Sequence, residues 1–219
     1  MMYNPSTFRQ TDFGELRRFM HAHPLATLVA RTEAGLDAAH VPLLWADNGT
    51  DYGCLRGHFS RGNPIWKQAL GGQNWLAVFQ DAGHYISPND YPSKQRDHKA
   101  VPTWNFQAVH AQGKLTLLED SAAVKALLAA QTAQHESDNG TAWQLSDAPD
   151  DYIHAQSKGV VCFELTIEKL EGKYKLSQNQ RAENRQGVIN GLQQLGTPAA
   201  RRMAEQVAQY QPHDPEKQR

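Results

Sequence analysis

Between Gly57 and Leu70 the chain reads GHFSRGNPIWKQAL, and four side chains able to do chemistry, His58, Ser60, Arg61 and Asn63, crowd in just before a proline. Asn63-Pro64 is a helix-start pair: the amide accepts a first-turn N–H, and proline at the first helical position leaves no donor orphaned. Ile65, Trp66, Ala69 and Leu70 then share one helical face, so the spacing predicts a helix from Asn63. Ser60, Arg61 and Gly62 fall in a tight strand-to-helix turn, where unpaired N–H groups and a planar guanidinium suit an anion such as a phosphate. A capped helix beside a solvated arginine fits the same letters.

Three other stretches carry similar chemistry. YISPNDYPSK, Tyr85 to Lys94, has two prolines and no apolar period, so it reads as a shaped loop in which Ser87, Ser93 and Lys94 can donate to phosphate, or as an ordered surface turn. VPTWNFQAVHAQGK, Val101 to Lys114, puts Trp104 and Phe106 on one strand face and Thr103, Asn105 and Gln107 on the other. Such a strand could wall a planar ligand and bond its edge, or it could bury a core tryptophan behind polar edge residues. EGKYKLSQNQR ends a strand with Lys173 and Lys175 on one face, turned to an anion or to water, and His110 reads as barrel surface.

The elements that must position these residues follow from period and punctuation. A first helix runs behind Thr11 or Asp12 to His23-Pro24. Strands are predicted at Ala26 to Arg31, Leu36 to Trp45, Cys54 to Phe59 and Trp75 to Gln80, with hairpin turns at Glu33-Ala34-Gly35 and Asp47-Asn48-Gly49. His84 to Pro102 is irregular, and Thr103 to Leu118 is one long bent strand or a hairpin. A helix spans Ser121 to Gln134 with Val124, Leu127 and Leu128 on one stripe, and a strand spans Val160 to Leu170, its Cys162 and Glu164 on the polar side. Two helices, Glu183 to Leu195 and Pro198 to Tyr210, precede a polar tail. These elements predict a single mainly β domain over residues 1–219 with peripheral helices (α+β), built on an antiparallel barrel.

Composition removes several function classes. The formal charge of -1 creates no global field for nucleic acid or anionic lipid. Cys54 and Cys162 form no CxxC pair, which excludes a disulfide framework and fits a reducing cytoplasm. Apolar runs stay far below the roughly 20 residues that span a bilayer, so no membrane partner is expected. The N-terminus carries charges that interrupt a secretion signal. No HExxH, GxGxxG, GxxxxGK[ST] or GxSxG occurs, so a metal site, a Rossmann or P-loop nucleotide site and a hydrolase elbow all lack support.

GHFSRGNPIW, YISPNDYPSK, VPTWNFQAVHAQGK and EGKYKLSQNQ, with MYNPSTF and HVPLLW in the same order from Met2 to about Gly196, together resemble the PaiB-like family of FMN-binding negative transcriptional regulators. The chain departs from the family pattern at His58-Phe59-Ser60 and Asn89-Asp90. The resemblance implies an antiparallel split β-barrel of the flavin-reductase/pyridoxamine-oxidase-like type, a homodimer and FMN as cofactor. Carried over by position, it implies cofactor-side roles for His40, Val41 and Leu43, whose strand lies along the flavin edge, and for His58, Ser60, Arg61 and Asn63 around the phosphate. It implies further cofactor-side roles for Lys94, Thr103, Trp104 and Asn105, and for Lys175 and Gln178 near the site. DNA binding follows from the resemblance alone, because no helix-turn-helix pattern or basic stripe occurs. Two other functions suit such a barrel: an FMN-dependent oxidoreductase, and a haem-binding barrel with His40, His58 or His110 as axial ligand.

Overall fold

The structure, a computed structural model, describes residues 2–69 and 71–210. The predicted polar tail and Leu70 lie outside the described residues. In chain order the elements are β1 (Arg9–Gln10), α1 (Phe13–Ala22), β2 (Leu25–Thr32), β3 (Gly35–Pro42), β4 (Leu44–Ala46), β5 (Cys54–Ser60), α2 (Ile65–Gln68), β6 (Trp75–Gln80), β7 (His84–Ile86), α3 (Lys94–Asp97), β8 (Thr103–Leu117), α4 (Ser121–Asp138), α5 (Asp150–Ser157), β9 (Val160–Lys175), α6 (Ala182–Leu195) and α7 (Pro198–Gln209). Single 3-10 turns cover Ser6–Phe8, Pro88–Asp90 and Leu145–Asp147.

The contacts gather into two units, residues 2–16, 80–109 and 171–210 in the first, and 17–69, 71–79 and 110–170 in the second. Each is assembled from segments that interleave along the chain, which is why no linker-like composition shift separates them.

The second unit carries the sheet path β3-β2-β6-β8-β9-β5-β4. β2 pairs antiparallel with β3 and β6, β4 with β5, and β5 with β9. The β2–β3 hairpin closes where predicted, with Gly35 at φ 124°, a value side-chain-bearing residues avoid. The predicted strand Leu36 to Trp45 is instead two strands. Pro42 has no N–H for the ladder, and the next N–H, that of Leu43, leaves it to bond Pro24 O at 2.9 Å. β5 alternates as a half-covered strand should: Leu55, Gly57 and Phe59 are buried, while Arg56, His58 and Ser60 share the opposite face. Phe59 stacks on Phe163 with ring centroids 4.5 Å apart, and Leu28, Phe79 and Leu165 are fully enclosed in this core. Cys162, predicted on the polar side, is also buried, because β9 is covered on both faces here. α4 starts on Asp120, whose carboxylate accepts the Ala123 N–H at 2.8 Å, and packs against β5. α5 was not predicted, although Pro149 followed by Asp150 and Asp151 is a helix-start signal.

The first unit joins β1 to the end of β9 and β7 to the start of β8, both antiparallel. The segment predicted as irregular therefore contains β7, the 3-10 turn Pro88–Asp90, capped by Ser87, and α3; Pro88 and Pro92 keep each piece short. The strand predicted to stop near Leu170 runs on to Lys175 because β1 gives it a partner. α6 and α7 pack together around Val188, Leu192, Met203 and Val207. Among the described residues no helix is long and apolar enough to cross a membrane.

Candidate functional site

In the second unit the predicted turn exists, and its geometry is set by β9. Ser60 pairs with Val160, and the Arg61 N–H donates to Gly159 O at 2.8 Å. The Asn63 N–H closes the turn on Ser60 O at 2.9 Å, and Asn63 Oδ1 accepts the Ile65 N–H at 3.1 Å, the capping role its type predicts. The helix it caps is one turn, four residues long, so the predicted helix through Leu70 is corrected: Ala69 is already extended. A helix this short adds little dipole, and any anion affinity here must come from side chains.

Arg61 supplies it. Its Nε donates to Lys158 O at 2.5 Å and its Nη2 to Val160 O at 2.8 Å, so the guanidinium is held by two backbone carbonyls at an exposed turn. Carbonyls orient the group without cancelling its charge, and no carboxylate forms an ion pair with Arg61 among the described residues. Nη1 keeps its donors, and the exposed Ser60 hydroxyl, which accepts the Gly62 N–H at 3.4 Å, can itself still donate.

The rest of this group is placed unevenly. His40 is exposed on β3, whereas Val41 and Leu43 are 7% and 3% exposed and turn their side chains into the core. Only backbone atoms of the last two can reach a ligand, and the Leu43 N–H is already engaged by Pro24 O. His58 Nδ1 lies 2.9 Å from Gln131 Oε1, and Gln131 Nε2 donates to Pro42 O at 3.1 Å. The sequence reading missed Gln131. It sits four residues after Leu127, on the face α4 buries, and a lone amide on such a stripe signals a specific partner.

Deeper under the same face of β5, Arg56 Nε and Nη2 donate to Glu164 at 2.9 and 2.8 Å. Burial pushes the Glu164 carboxyl up, but hydrogen bonds from Arg56, Asn48 and Cys54 outweigh it and hold the group below its ordinary value. Burial beside that carboxylate pushes the Cys54 thiol up to about 11, which makes it an inert core residue.

In the first unit Lys175, at the end of β9, bonds Thr103 and Trp104 at the start of β8, next to buried Asn105, whereas Gln178 bonds elsewhere. Lys175 Nζ donates to Thr103 Oγ1 and, at 2.6 Å, to Trp104 O; burial first, then neighbouring Lys173, lower its pKa. Asn105 is fully buried and trades hydrogen bonds with Ser177, Nδ2 to Oγ at 2.9 Å and Oγ to Oδ1 at 3.3 Å. Gln178 closes the end of β9 by accepting the Leu176 N–H at 2.7 Å and donating to Tyr174 O. The polar face of this strand is the buried one, and Trp104, 55% exposed against the edge of Tyr85, is no core residue. Lys94 does not join this group: its Nζ donates to Asn89 Oδ1 at 2.6 Å.

The comparisons agree with this architecture. Over 205 residues the chain is 32% identical to the protease synthase and sporulation protein PAI 2 of Bacillus subtilis, covering 93% of this chain and 95% of that protein. The structure resembles the FAD and heme binding protein from Mycobacterium smegmatis (TM-score 0.55, 13% identity, 76% and 73% of the two chains). It also resembles the flavocytochrome Anf3 from Azotobacter vinelandii (TM-score 0.53, 15% identity, 76% and 69%). At such identities these two likenesses establish the fold, a mostly antiparallel split barrel with seven helices among the described residues. Residues 2–169 match the family described as "Putative FMN-binding domain", more than half of the chain, and the protein belongs to that family, whose cofactor is FMN.

Proposed function

We propose that this chain is a homodimeric, cytoplasmic regulatory protein that holds FMN by its phosphate at the Ser60–Arg61 turn. The observation that carries the reading is the exposed Arg61 guanidinium, oriented by Lys158 O and Val160 O with no carboxylate paired to it among the described residues. The regulatory part rests on the relative named for protease synthesis and sporulation. Dimer formation is supported by β3, an edge strand whose Leu36 is 80% exposed.

The test is a pair of flavin titrations on three proteins. Arg61→Ala removes charge-assisted bonds worth about 1.5–3 kcal/mol, so FMN affinity falls roughly 10- to 100-fold while riboflavin, which has no phosphate, is unaffected. Arg61→Lys keeps the charge but not the fork and gives an intermediate loss. Equal losses for both flavins, or none for either, contradict the assignment. Regulation at DNA predicts salt-dependent duplex affinity that differs between FMN-loaded and flavin-free protein; indifference to duplex in both forms removes DNA and leaves the flavin site standing.

A further inference from the structure

His58 makes one hydrogen bond among the described residues, and the partner of that bond decides its protonation pattern. Pro42 O can only accept, so the Gln131 atom 3.1 Å from it is the NH2 group. The amide oxygen therefore faces His58 Nδ1 at 2.9 Å, and Nδ1 must carry the hydrogen. A neutral imidazole has one N–H, so Nε2 is left as a bare acceptor, the reverse of the form free histidine prefers in water. Gln131 is 5% exposed, so water does not replace either bond at low cost.

His58 and Ser60 lie two residues apart on the same face of β5, roughly 7 Å along the strand. A ligand whose phosphate sits at Ser60 and Arg61 carries its next few atoms past that distance, and in FMN those atoms are a polyol chain. We infer that Gln131 locks His58 in the Nδ1–H tautomer, and that the unprotonated Nε2 accepts a hydrogen bond from a hydroxyl of the chain next to the phosphate. The ligand part rests on the phosphate reading of Ser60 and Arg61; the lock does not. Gln131 is thereby a positioning residue reaching the site from α4, and His58 selects for a hydroxyl donor that an apolar tail would not supply.

The experiment is long-range proton–nitrogen NMR on full-length protein labelled with 15N-histidine, free and then saturated with FMN or riboflavin. Flavin-free parent shows His58 with protonated Nδ1 and unprotonated Nε2. Gln131→Met keeps the bulk but loses both the acceptor for Nδ1–H and the donor to Pro42 O, and the tautomers mix. Both flavins carry the polyol, so both move the Nε2 signal, and Gln131→Met weakens both about three- to tenfold, in contrast to the phosphate-selective effect of Arg61→Ala. A protonated Nε2 in the flavin-free parent overturns the lock. An Nε2 signal unmoved at saturation, or a parent that takes up neither flavin, overturns the ligand role. An Nε2 shift with no preference for FMN over riboflavin supports this inference while overturning the phosphate assignment alone.

Discussion

Ser177 has a left-handed backbone, φ 63°, which residues other than glycine seldom adopt, and its buried hydroxyl exchanges two hydrogen bonds with fully buried Asn105. Asn105→Ala strands that hydroxyl and Ser177→Gly strands the buried Asn105 amide, so each should cost about 1–3 kcal/mol in urea unfolding, with relief of the left-handed backbone offsetting part of the second loss. Two variants that unfold like the parent would contradict the pairing. Acid sensitivity has a different source. The depressed Glu164 carboxyl contributes stability that is complete above the ordinary glutamate pKa and is lost as pH falls through the lower folded value, so the Arg56→Met variant should show a flatter decline of melting temperature across that acid range than the parent. What the sequence made legible at this scale was residue type: a serine, an arginine and a capping asparagine in a turn. Illegible were the partners, because Lys158 O, Val160 O and Pro42 O are backbone atoms far along the chain that no side-chain pattern announces.

At the level of elements, α6 approaches the 3-10 turn Pro88–Asp90 so closely that a Cβ on Gly187 would lie 2.0 Å from Asp90 O and one on Gly191 2.4 Å from Asp90 Oδ1. Alanine ordinarily stabilises a helix interior over glycine by about 1 kcal/mol. Here Gly187→Ala should destabilise by about 1–3 kcal/mol, since main chain must move, and Gly191→Ala by less, since a side chain can turn away. A raised melting temperature for Gly187→Ala would refute the contact. α1, β2, β5, β6, α6 and α7 were readable because period, caps and turn residues agree locally. The break at Leu43, the extension of β9 and the pieces within His84–Pro102 were not, since each depends on a strand partner remote in sequence. The single-turn α2 was overestimated for a related reason: Asn63-Pro64 specifies where a helix starts and says nothing of how soon it ends.

For the molecule as a whole, Leu36 at one end of the β2–β3 ribbon and Leu25 at the other, 80% and 66% exposed, are large apolar side chains that a second copy would cover. Light scattering at micromolar concentration should report twice the chain mass, and Leu36→Lys should shift the population toward monomer without loss of secondary structure; a parent that stays monomeric while holding FMN would contradict the dimer. The central claim is that a phosphate, held at Ser60 and Arg61, anchors the cofactor of this split barrel. Flavin fluorescence titration of the parent against FMN and riboflavin under one set of conditions tests it most directly. The phosphate reading predicts FMN bound roughly 10- to 100-fold more tightly, the contribution of charge-assisted bonds to a single arginine. Equal affinity for the two flavins would contradict it.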